Sequence, residues 1–396
     1  MKICIVIDDY LPHSIKVGAK MVHELACELV KRGHFVSVIT PSPNLKTDYS
    51  IEKLDGVVVY RFKSGKIKNI GRVRRAVNET LLPYLAWNAL KDNIAKDRHD
   101  IVVYYSPTIF WGSLVTKLKR LWDAPSYLVL RDIFPQWAVD RGLIKKGSLI
   151  EKYFRYFERK NYEAADTIGL MSQKNLEWFK ENVRSDARLE VLPNWAALTP
   201  ASSDGTYRKK LGLENRVVFF YGGNIGQAQD MMNIVRLAKR MQKYPEAYFL
   251  LVGAGDEVEL VKRAVTEEKI ENLTLLPPVP QDEFKKMLSE FDIGLFTLHR
   301  DHSTHNFPGK LLGYMVQSMP ILGSINIGND LKETVEGAGA GFVTVNGEDD
   351  LFFDNARKLL DREKREEMGK KAFALLEKNF SVEAAANKIL EKAVNR

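Results

Sequence analysis

Short runs of consecutive apolar residues recur along the chain and alternate with segments whose apolar residues fall on one helical face. The first run, 2–7, is followed by a loop to Gly18, an amphipathic helix around 21–32 that ends at Gly33, and a second run at 35–40. Continuous rather than alternating apolar runs are typical of parallel strands covered on both faces. The pattern therefore predicts a doubly wound α/β domain at the start of the chain.

One segment interrupts this alternation near the middle of the chain. Residues 194–207 show no clear periodicity and contain Pro200 and Gly205, which is typical of a linker. We therefore predict two domains, over residues 1–195 and 196–378, and a terminal helix over 379–396. The predicted strands are 2–7, 35–40, 57–62, 101–105, 127–130, 167–171 and 189–192 before the linker, and 217–221, 248–252, 273–276, 293–298, 321–324 and 342–345 after it.

The composition is that of a soluble globular protein, with 45% hydrophobic and 28% charged residues. Asp8 and Asp9 interrupt the first apolar run too early for a signal peptide, and no apolar run is as long as a membrane span. Cys4 and Cys27 are expected to be free thiols in a reducing cytoplasm, with a disulfide between them as the alternative.

The net charge of +8 is unevenly distributed along the chain. Residues 1–195 carry 32 Lys and Arg against 22 Asp and Glu, whereas residues 196–396 carry 27 against 29. A basic excess confined to one half favours contact with an anionic surface or polymer. Because no nucleic-acid-binding motif accompanies the charge, we predict no nucleic acid partner.

The basic excess is densest just before a predicted helix that carries apolar and aromatic residues. A basic run that leads into such a helix suits an anionic membrane surface, and solvated helix faces are the alternative. Residues 152–160 form a second basic and aromatic cluster, much of which is expected to pack in the core. The residues predicted to meet the membrane or an acceptor are Lys66, Lys68, Arg72, Arg74 and Arg75.

A candidate anion site lies in the second half, in residues 305–315. Pro308 suits the first turn of a helix, where its missing N–H would be unpaired in any case. Lys310 falls in the same turn, so backbone N–H groups, the helix dipole and a lysine converge there. A plain buried helix with a solvated lysine is the alternative.

A glycine-rich segment in the same half follows a predicted strand and opens a helix. It holds Gly222, Gly223 and Gly226, which let the backbone approach a ligand closely, as in a phosphate-binding loop. It lacks the Gly-Lys-Ser/Thr ending of a P-loop. A bare glycine turn is the alternative, and we take the shorter Gly253 and Gly255 pair as a tight turn.

Two more polar segments follow predicted strands. After residues 127–130, Arg131 could meet a phosphate and Asp132 could orient an acceptor hydroxyl, with a structural ion pair as the alternative. The three histidines of residues 299–305 match no zinc-binding spacing, and both cysteines are remote, so we predict no metal there. We expect the last of these histidines to contact ligand instead.

Taken in order, these segments resemble bacterial members of glycosyltransferase family 4, which have the GT-B fold. The resemblance covers nearly the whole chain and includes residues 24–34, Leu192-Pro193-Asn194 at the domain junction, and the closing pattern from Pro308 to Ile321. It implies two doubly wound, Rossmann-like α/β domains that face each other across a cleft, with the terminal helix packed on the first. More narrowly, the chain resembles amino-sugar transferases of O-antigen and capsule gene clusters, notably those for N-acetyl-L-fucosamine.

The resemblance implies sugar transfer from a nucleotide sugar, expected to be a UDP-sugar, with retention of configuration and without a metal or other cofactor. The acceptor would be a lipid-linked saccharide, such as an undecaprenyl pyrophosphate sugar, and the enzyme would be cytoplasmic and peripheral to the inner face of the cytoplasmic membrane. Lys310 would stabilise the leaving diphosphate, with Arg131 and Asp132 completing the catalytic site. The donor-binding residues would be Gly18, Gly222, Gly223, Asn224, Gln229, Arg300, His305, Asn306, Pro308, Gly309 and Leu311.

The sequence departs from the family pattern at the donor site. Relatives place two glutamates eight residues apart around the closing motif, where this chain has His305 and Gly313. The basic pair that relatives carry on the glycine loop is replaced by the neutral Asn224 and Gln229. The diphosphate charge would then be met mainly by Lys310, by helix N-termini, and by Arg131 or Arg300.

Two other functions are compatible with this architecture. A nucleotide-sugar 2-epimerase would also bind a UDP-sugar but would need no lipid acceptor, and the basic aromatic patch argues against it. A catalytically silent partner that binds a sugar nucleotide or a membrane is the other alternative, because the two glutamates are missing. An epimerised product from a UDP-sugar alone would indicate the first, and transfer to a lipid-linked acceptor would exclude the second.

Overall fold

The computed structural model describes residues 1–14, 16–68, 70–140, 142–300 and 308–394, with the side chains of Gln281, Asp282 and Val394 left out. The chain divides into two compact units. Unit 1 comprises Met1–Asn194 and Val382–Arg396, and unit 2 comprises Trp195–Ser381. The first division falls one residue before the expected boundary, and the second falls after Ser381 rather than at residue 378.

Unit 1 is built on one eight-stranded sheet. Its strands are β1 (Lys2–Val6), β2 (Phe35–Ser42), β3 (Tyr49–Leu54), β4 (Val57–Lys63), β5 (Ile101–Ser106), β6 (Ser126–Leu130), β7 (Thr167–Leu170) and β8 (Arg188–Val191). Their order is β3-β4-β2-β1-β5-β6-β7-β8, with β3 antiparallel to β4 and the other pairs parallel. The apolar runs predicted all of these strands except β3, whose residues are exposed or half-buried at the sheet edge.

The helices of unit 1 cover the two faces of this sheet. They are α1 (Val17–Lys31), α2 (Arg72–Ile94), α3 (Gly112–Trp122), α4 (Gln136–Asp140), α5 (Leu149–Glu163), α6 (Gln173–Asn182) and the terminal helix α15 (Val382–Val394). Helix α2 buries one residue per turn, Leu82, Ala86, Leu90 and Ile94, in the core. Helix α15 lies against α1, where Arg32 Nη1 donates to Asn387 Oδ1 at 2.6 Å.

Unit 2 has a six-stranded, fully parallel sheet in the order β11-β10-β9-β12-β13-β14, flanked by helices. The strands are β9 (Val217–Asn224), β10 (Ala247–Ala254), β11 (Leu273–Leu276), β12 (Ile293–Thr297), β13 (Ile321–Ile325) and β14 (Gly341–Val345). The helices are α7 (Thr206–Leu211), α8 (Met231–Met241), α9 (Val258–Glu267), α10 (Gln281–Leu288), α11 (Lys310–Val316), α12 (Leu331–Gly337), α13 (Asp349–Lys358) and α14 (Arg362–Leu375). A short 3-10 turn, Gln227–Gln229, and a π-helical turn, Leu376–Phe380, complete the unit.

Among the parallel strands of each sheet, the strand order reverses once. The reversal lies between β1 and β5 in unit 1 and between β9 and β12 in unit 2. The loops that leave such a pair at its carboxyl end diverge to opposite faces, so a crevice forms between them, and open α/β sheets bind their ligands there. The two reversals thus locate one candidate site in each unit.

Among the described residues, we find no helix that combines the length and the apolar character needed to cross a bilayer. The two cysteines, Cys4 and Cys27, are both free.

Two neighbouring leucines of α2 test how its apolar residues divide between core and surface. Leu82 is fully buried and Leu81 is 45% exposed. We expect Leu82→Ala to lower the free energy of unfolding by about 2–5 kcal/mol and Leu81→Ala by less than about 0.5 kcal/mol. Urea denaturation followed by circular dichroism measures both, and equal effects would contradict this division of the helix.

Candidate functional site

The strongest candidate site lies at the strand reversal of unit 2 and centres on Lys310, the first residue of α11. The ammonium nitrogen of Lys310 lies 3.5 Å from the centroid of the Tyr221 ring. Its side chain also borders the glycine loop, since a Cβ atom added at Gly223 would lie 3.5 Å from Lys310 Nζ. Desolvation lowers the pKa of Lys310 to about 7. Among the described residues, no carboxylate forms an ion pair with this lysine.

Tyr314 holds α11 against the end of β9. It lies one turn after Lys310 and is fully buried. Its hydroxyl donates to the carbonyl of Leu295 on β12 at 3.0 Å and accepts from the N–H of Gly222 on β9 at 3.2 Å. The tyrosine thereby spans the two strands of the reversal, and this anchoring positions Lys310 beside the loop.

The glycine loop itself is neutral and polar. Gly223 adopts a φ of +132°, a conformation that side chains rarely permit, and both Gly223 and Asn224 are exposed to solvent. Asn224 Nδ2 donates to Gln229 Oε1 at 2.7 Å, so the two neutral residues that replace the family's basic pair contact each other. The structure brings Gly222, Gly223, Asn224, Gln229 and Lys310 together in one place.

Two glycines at the end of β10, Gly253 within the strand and Gly255 directly after it, explain how this loop is accommodated. A Cβ atom at Gly253 would lie 1.8 Å from the carbonyl oxygen of Gly223, and one at Gly255 would lie 2.0 Å from that of Ile225. Neither glycine has a positive φ. Gly253 lies within β10, so the tight-turn interpretation is wrong for this residue, and both glycines allow a close approach of two backbones. The spacing Gly253-Ala254-Gly255 at the end of a predicted strand was the sequence signal that could have indicated this close backbone contact.

Other predicted donor residues of unit 2 lie around this centre with different roles. Pro308 precedes α11 by two residues instead of lying within its first turn, and Gly309 caps the helix. The Leu311 side chain is fully buried in the core, and the predicted donor contact of this residue stays a prediction. Arg300 is exposed, and its guanidinium lies beside Gly347, a residue of the turn between β14 and α13. His305 and Asn306 lie outside the described residues.

Gly313, where relatives have a glutamate, faces a neighbouring helix. A Cβ atom at this position would lie 3.2 Å from Leu288 Cδ2 of α10. This contact is tighter than most side chains make, so a larger residue would require Leu288 to shift. Close packing between α10 and α11 therefore provides a physical reason for glycine at this position.

Arg131 and Asp132 lie in unit 1, directly after β6. The guanidinium of Arg131 donates to the carbonyls of Leu130 at 3.2 Å and Pro193 at 3.1 Å, and burial lowers its pKa to about 10. Desolvation raises the pKa of the Asp132 carboxyl, whereas an ion pair with arginine would lower it. The pKa of Asp132 therefore does not indicate the structural ion pair that was the alternative interpretation, and carbonyl contacts help to hold Arg131.

The reversal in unit 1 gathers further polar groups. Gly18, in the first turn of α1, faces β5 closely, since a Cβ atom there would lie 2.8 Å from Tyr105 Oη. After β1, Asp9 accepts hydrogen bonds from Ser14 and Lys68. Burial raises the pKa of the adjacent Asp8, while Lys68 opposes the shift. Sequence reasoning used these two aspartates only against a signal peptide, although an acidic pair directly after a first strand was a usable signal.

Within the described part of the chain, the five basic residues predicted to meet a membrane or an acceptor divide into two that form ion pairs, Lys68 and Arg75, and three that do not. Lys68 forms an ion pair with Asp9 and is half-buried, and its predicted contact with a membrane or an acceptor stays a prediction. Arg75 is exposed and donates to Glu79 Oε1 at 2.8 Å. Lys66, Arg72 and Arg74 are exposed, and no ion pair is recorded for them among the described residues.

An exposed apolar surface adjoins these arginines. The Tyr153 hydroxyl of α5 lies within 2.5 Å of Thr80 Oγ1 of α2, so the two helices are neighbours. Each helix exposes an apolar stripe, with Val73 80% and Leu149 82% exposed. We call this surface the α2–α5 ridge, and it consists of Val73, Val77, Leu81, Tyr84, Leu149, Ile150, Tyr153 and Tyr156.

Both halves of the chain match known families. Residues 18–195 match the family described as the glycosyl transferase 4-like domain, and residues 203–374 match the glycosyl transferases group 1 family. The two matches together span most of the chain, and the linker lies between them.

Two relatives share sequence with the chain. It is 26% identical over 219 residues to WbjE of Pseudomonas aeruginosa, named as a probable glycosyltransferase, a match that spans 54% of this chain and 54% of that protein. The chain thus covers about half of the length of this relative. It is 23% identical over 334 residues to WcaI of Escherichia coli K12, which is named for glycosyl transfer in colanic acid biosynthesis, a match that spans 78% of this chain and 80% of that protein.

Solved structures share the fold over the full length. Sucrose-phosphate synthase from Thermosynechococcus elongatus superimposes with a TM-score of 0.69 at 15% identity, over 99% of this chain and 98% of that chain. Anabaena HepE, solved with UDP and glucose, gives 0.67 at 15% identity, over 99% of both chains. WaaG, a glycosyltransferase of lipopolysaccharide biosynthesis, gives 0.64 at 13% identity, over 100% of both chains.

The two parallel-sheet units and these superpositions define a protein of GT-B fold, which confirms the predicted fold class. The matches of both halves and the two relatives support a bacterial glycosyltransferase of family 4.

The substitution Lys310→Met tests whether Lys310 is desolvated, through its effect on the thermal stability of the protein. Because the pKa of Lys310 is lowered from 10.5 to about 7, its charged form is disfavoured in the folded state. This cost in folding free energy is fully present below pH 7. It disappears as the pH rises to 10.5, the pKa of lysine in the unfolded chain. We expect the unliganded variant to melt higher than the wild type at pH 6, by about 2–4 °C per kcal/mol relieved, and the difference to vanish toward pH 10.

Differential scanning calorimetry at several pH values measures this difference. Lys370→Met, which changes an exposed lysine of α14, is the matched control and should show no such pH dependence. Equal melting temperatures of wild type and Lys310→Met at pH 6 would contradict a desolvated lysine.

Proposed function

We propose that the protein transfers a sugar from a UDP-sugar to a lipid-linked saccharide during synthesis of a cell-surface polysaccharide. The observation that carries this proposal is the position of Lys310, which lies over Tyr221 and against Gly223 at the strand reversal of unit 2. A lysine and an open glycine backbone at such a crevice suit a diphosphate. The UDP bound in HepE and the roles named for WcaI and WaaG support a UDP-sugar and a polysaccharide precursor.

The desolvated lysine also suits the chemistry of sugar transfer. A leaving diphosphate gains negative charge as its bond to the sugar breaks, and a cation in a poorly solvated site stabilises that charge strongly. Binding of the diphosphate would itself restore the proton on Lys310, because a nearby anion raises the pKa of an amine. In this proposal Gly222, Gly223 and Asn224 line the phosphates and no metal takes part.

The donor sugar is proposed from the narrower resemblance to amino-sugar transferases. UDP-N-acetyl-L-fucosamine is therefore the first donor to test, and retention of configuration is the expected outcome. In such a mechanism the leaving phosphate oxygen accepts the acceptor proton, so no protein nucleophile is needed. The neutral Asn224 and Gln229 are consistent with a site whose positive charge is concentrated in Lys310.

The acceptor is proposed to reach unit 1 from an anionic membrane surface. The α2–α5 ridge presents exposed apolar side chains from both helices. The exposed residues Lys66, Arg72 and Arg74 lie near the start of α2. Apolar side chains enter the headgroup region while arginine and lysine meet lipid phosphates, so the combination suits peripheral docking. In this proposal the acceptor is an undecaprenyl pyrophosphate-linked saccharide that is anchored in that membrane.

Lys310→Ala is expected to lower turnover by about 10²-fold or more, because it removes the charge that stabilises the leaving diphosphate. The assay incubates full-length protein with UDP-N-acetyl-L-fucosamine and other UDP-sugars together with extracted lipid-linked saccharides, and mass spectrometry detects the products. Lys370→Ala is the control and should retain full turnover. Near-wild-type turnover of Lys310→Ala would remove this lysine from the mechanism.

The same assay separates the proposed transferase from its alternatives. A glycosylated lipid product supports transfer, and an epimerised nucleotide sugar formed without acceptor would indicate the epimerase. UDP-sugar binding with neither product from any acceptor would indicate a silent binding protein.

Replacement of Lys66, Arg72 and Arg74 by glutamate tests the membrane surface. Each basic residue near an anionic bilayer contributes about 1 kcal/mol, so we expect binding to weaken by at least about 10²-fold. Co-sedimentation with vesicles that contain phosphatidylglycerol measures the change. The control variant replaces Lys210, Arg263 and Lys370, exposed in unit 2, by glutamate and alters net charge equally. Equal losses in both variants would show that charge alone, rather than this surface, determines binding.

A further inference from the structure

Three side chains with metal-binding atoms converge in unit 1 at a place that the proposed transfer reaction does not use. His23 and Cys27 lie one turn apart on α1, and Asp55 lies in the turn that joins β3 to β4. His23 Nε2 is 3.0 Å from Asp55 Oδ2 and 3.4 Å from Cys27 Sγ. The three ligand atoms all lie within 4.8 Å of one another.

The two separations measured from His23 match the requirements of a tetrahedral cation. With tetrahedral angles, bonds of about 2.1 Å to nitrogen, 2.0 Å to oxygen and 2.3 Å to sulfur place nitrogen about 3.35 Å from oxygen and about 3.6 Å from sulfur. The observed distances of 3.0 and 3.4 Å are within a few tenths of an ångström of these values. We propose that His23, Cys27 and Asp55 form a binding site for a divalent cation of the zinc type, with a fourth position open to water.

The buried face of the histidine is already arranged for this role. His23 is 9% exposed, and its Nδ1 lies 2.8 Å from the hydroxyl of Tyr10. When Nδ1–H donates to Tyr10, the lone pair of Nε2 is directed toward Cys27 and Asp55. A hydrogen bond to the second ring nitrogen is the usual device by which proteins orient a metal-binding histidine.

The same geometry argues against a nucleophilic cysteine. In a cysteine–histidine–aspartate triad the carboxylate and the thiol use opposite nitrogens of the imidazole ring. Here both Asp55 and Cys27 face Nε2, and Tyr10 occupies Nδ1. Convergence on one nitrogen is the arrangement that a shared cation stabilises.

The charge around the sulfur also favours a cation. The carboxylates of Asp55 and Glu24 lie close enough to the Cys27 sulfur to add negative charge there. The position of Asp55 is determined by the backbone, because this residue has a φ of +48° in the Asp55-Gly56 turn. A bound cation would therefore connect α1, the β3–β4 turn and the loop that carries Tyr10.

Titration of the full-length, metal-free protein with Co²⁺, without a histidine purification tag, tests this site. We expect one equivalent to bind and to produce the near-ultraviolet charge-transfer absorption of a cobalt thiolate. Cys27→Ser should abolish that absorption. Asp55→Asn should weaken binding at least about tenfold because it removes the carboxylate charge. The Asp55→Asn variant should keep the fold, since asparagine tolerates the left-handed turn. Equilibrium dialysis with Zn²⁺ should give the same stoichiometry.

Cys4→Ser provides the matched control, because Cys4 is fully buried in β1 and lies outside the cluster. Its cobalt absorption should equal that of the wild type. Circular dichroism of each variant verifies that it is folded. The proposal is overturned if no cobalt thiolate forms in the wild type, or if its absorption persists unchanged in folded Cys27→Ser.

Discussion

The ammonium group of Lys310 lies over the ring of Tyr221, poorly solvated and without a paired carboxylate among the described residues, and the donor site of this protein depends on that one charge. A lysine in water holds its proton firmly, whereas this lysine has a pKa of about 7. The folded chain therefore maintains a site that gains from the arrival of an anion. Tyr314, which bonds to Gly222 and Leu295, keeps the helix that carries the lysine in place.

Much of unit 2 was predictable from the sequence because its strands are continuous apolar runs and its glycine loop follows one of them directly. The meeting of Lys310 with Gly223 also follows, since the carboxyl ends of parallel strands share one edge of the sheet. The role of Gly253 was not predictable in the same way. It depends on a backbone contact with Gly223, which is set by the register between β9 and β10 that the apolar pattern does not give. Gly313 is similar, because its neighbour Leu288 belongs to another helix.

Unit 1 shows where a one-dimensional pattern is insufficient. Apolar residues occur on several faces of α2, so the sequence could not distinguish the buried Leu82 from the exposed Leu81. Lys68 looked like part of a basic surface, but the loop after β1 supplies Asp9 as its partner. The convergence of His23, Cys27 and Asp55 was hidden for the same reason, because the β3–β4 hairpin brings Asp55 to α1 and β3 was not predicted.

Proton uptake on UDP binding tests the central claim most directly. If Lys310 has a pKa near 7 in the free protein and contacts the diphosphate when UDP is bound, it must take up a proton during binding at pH 8. Calorimetric titration of UDP in buffers of different ionisation enthalpy measures that number. The account predicts close to one proton taken up by the wild type and none by Lys310→Met. Binding of UDP with no proton uptake by the wild type, or with the same uptake in Lys310→Met, would contradict it.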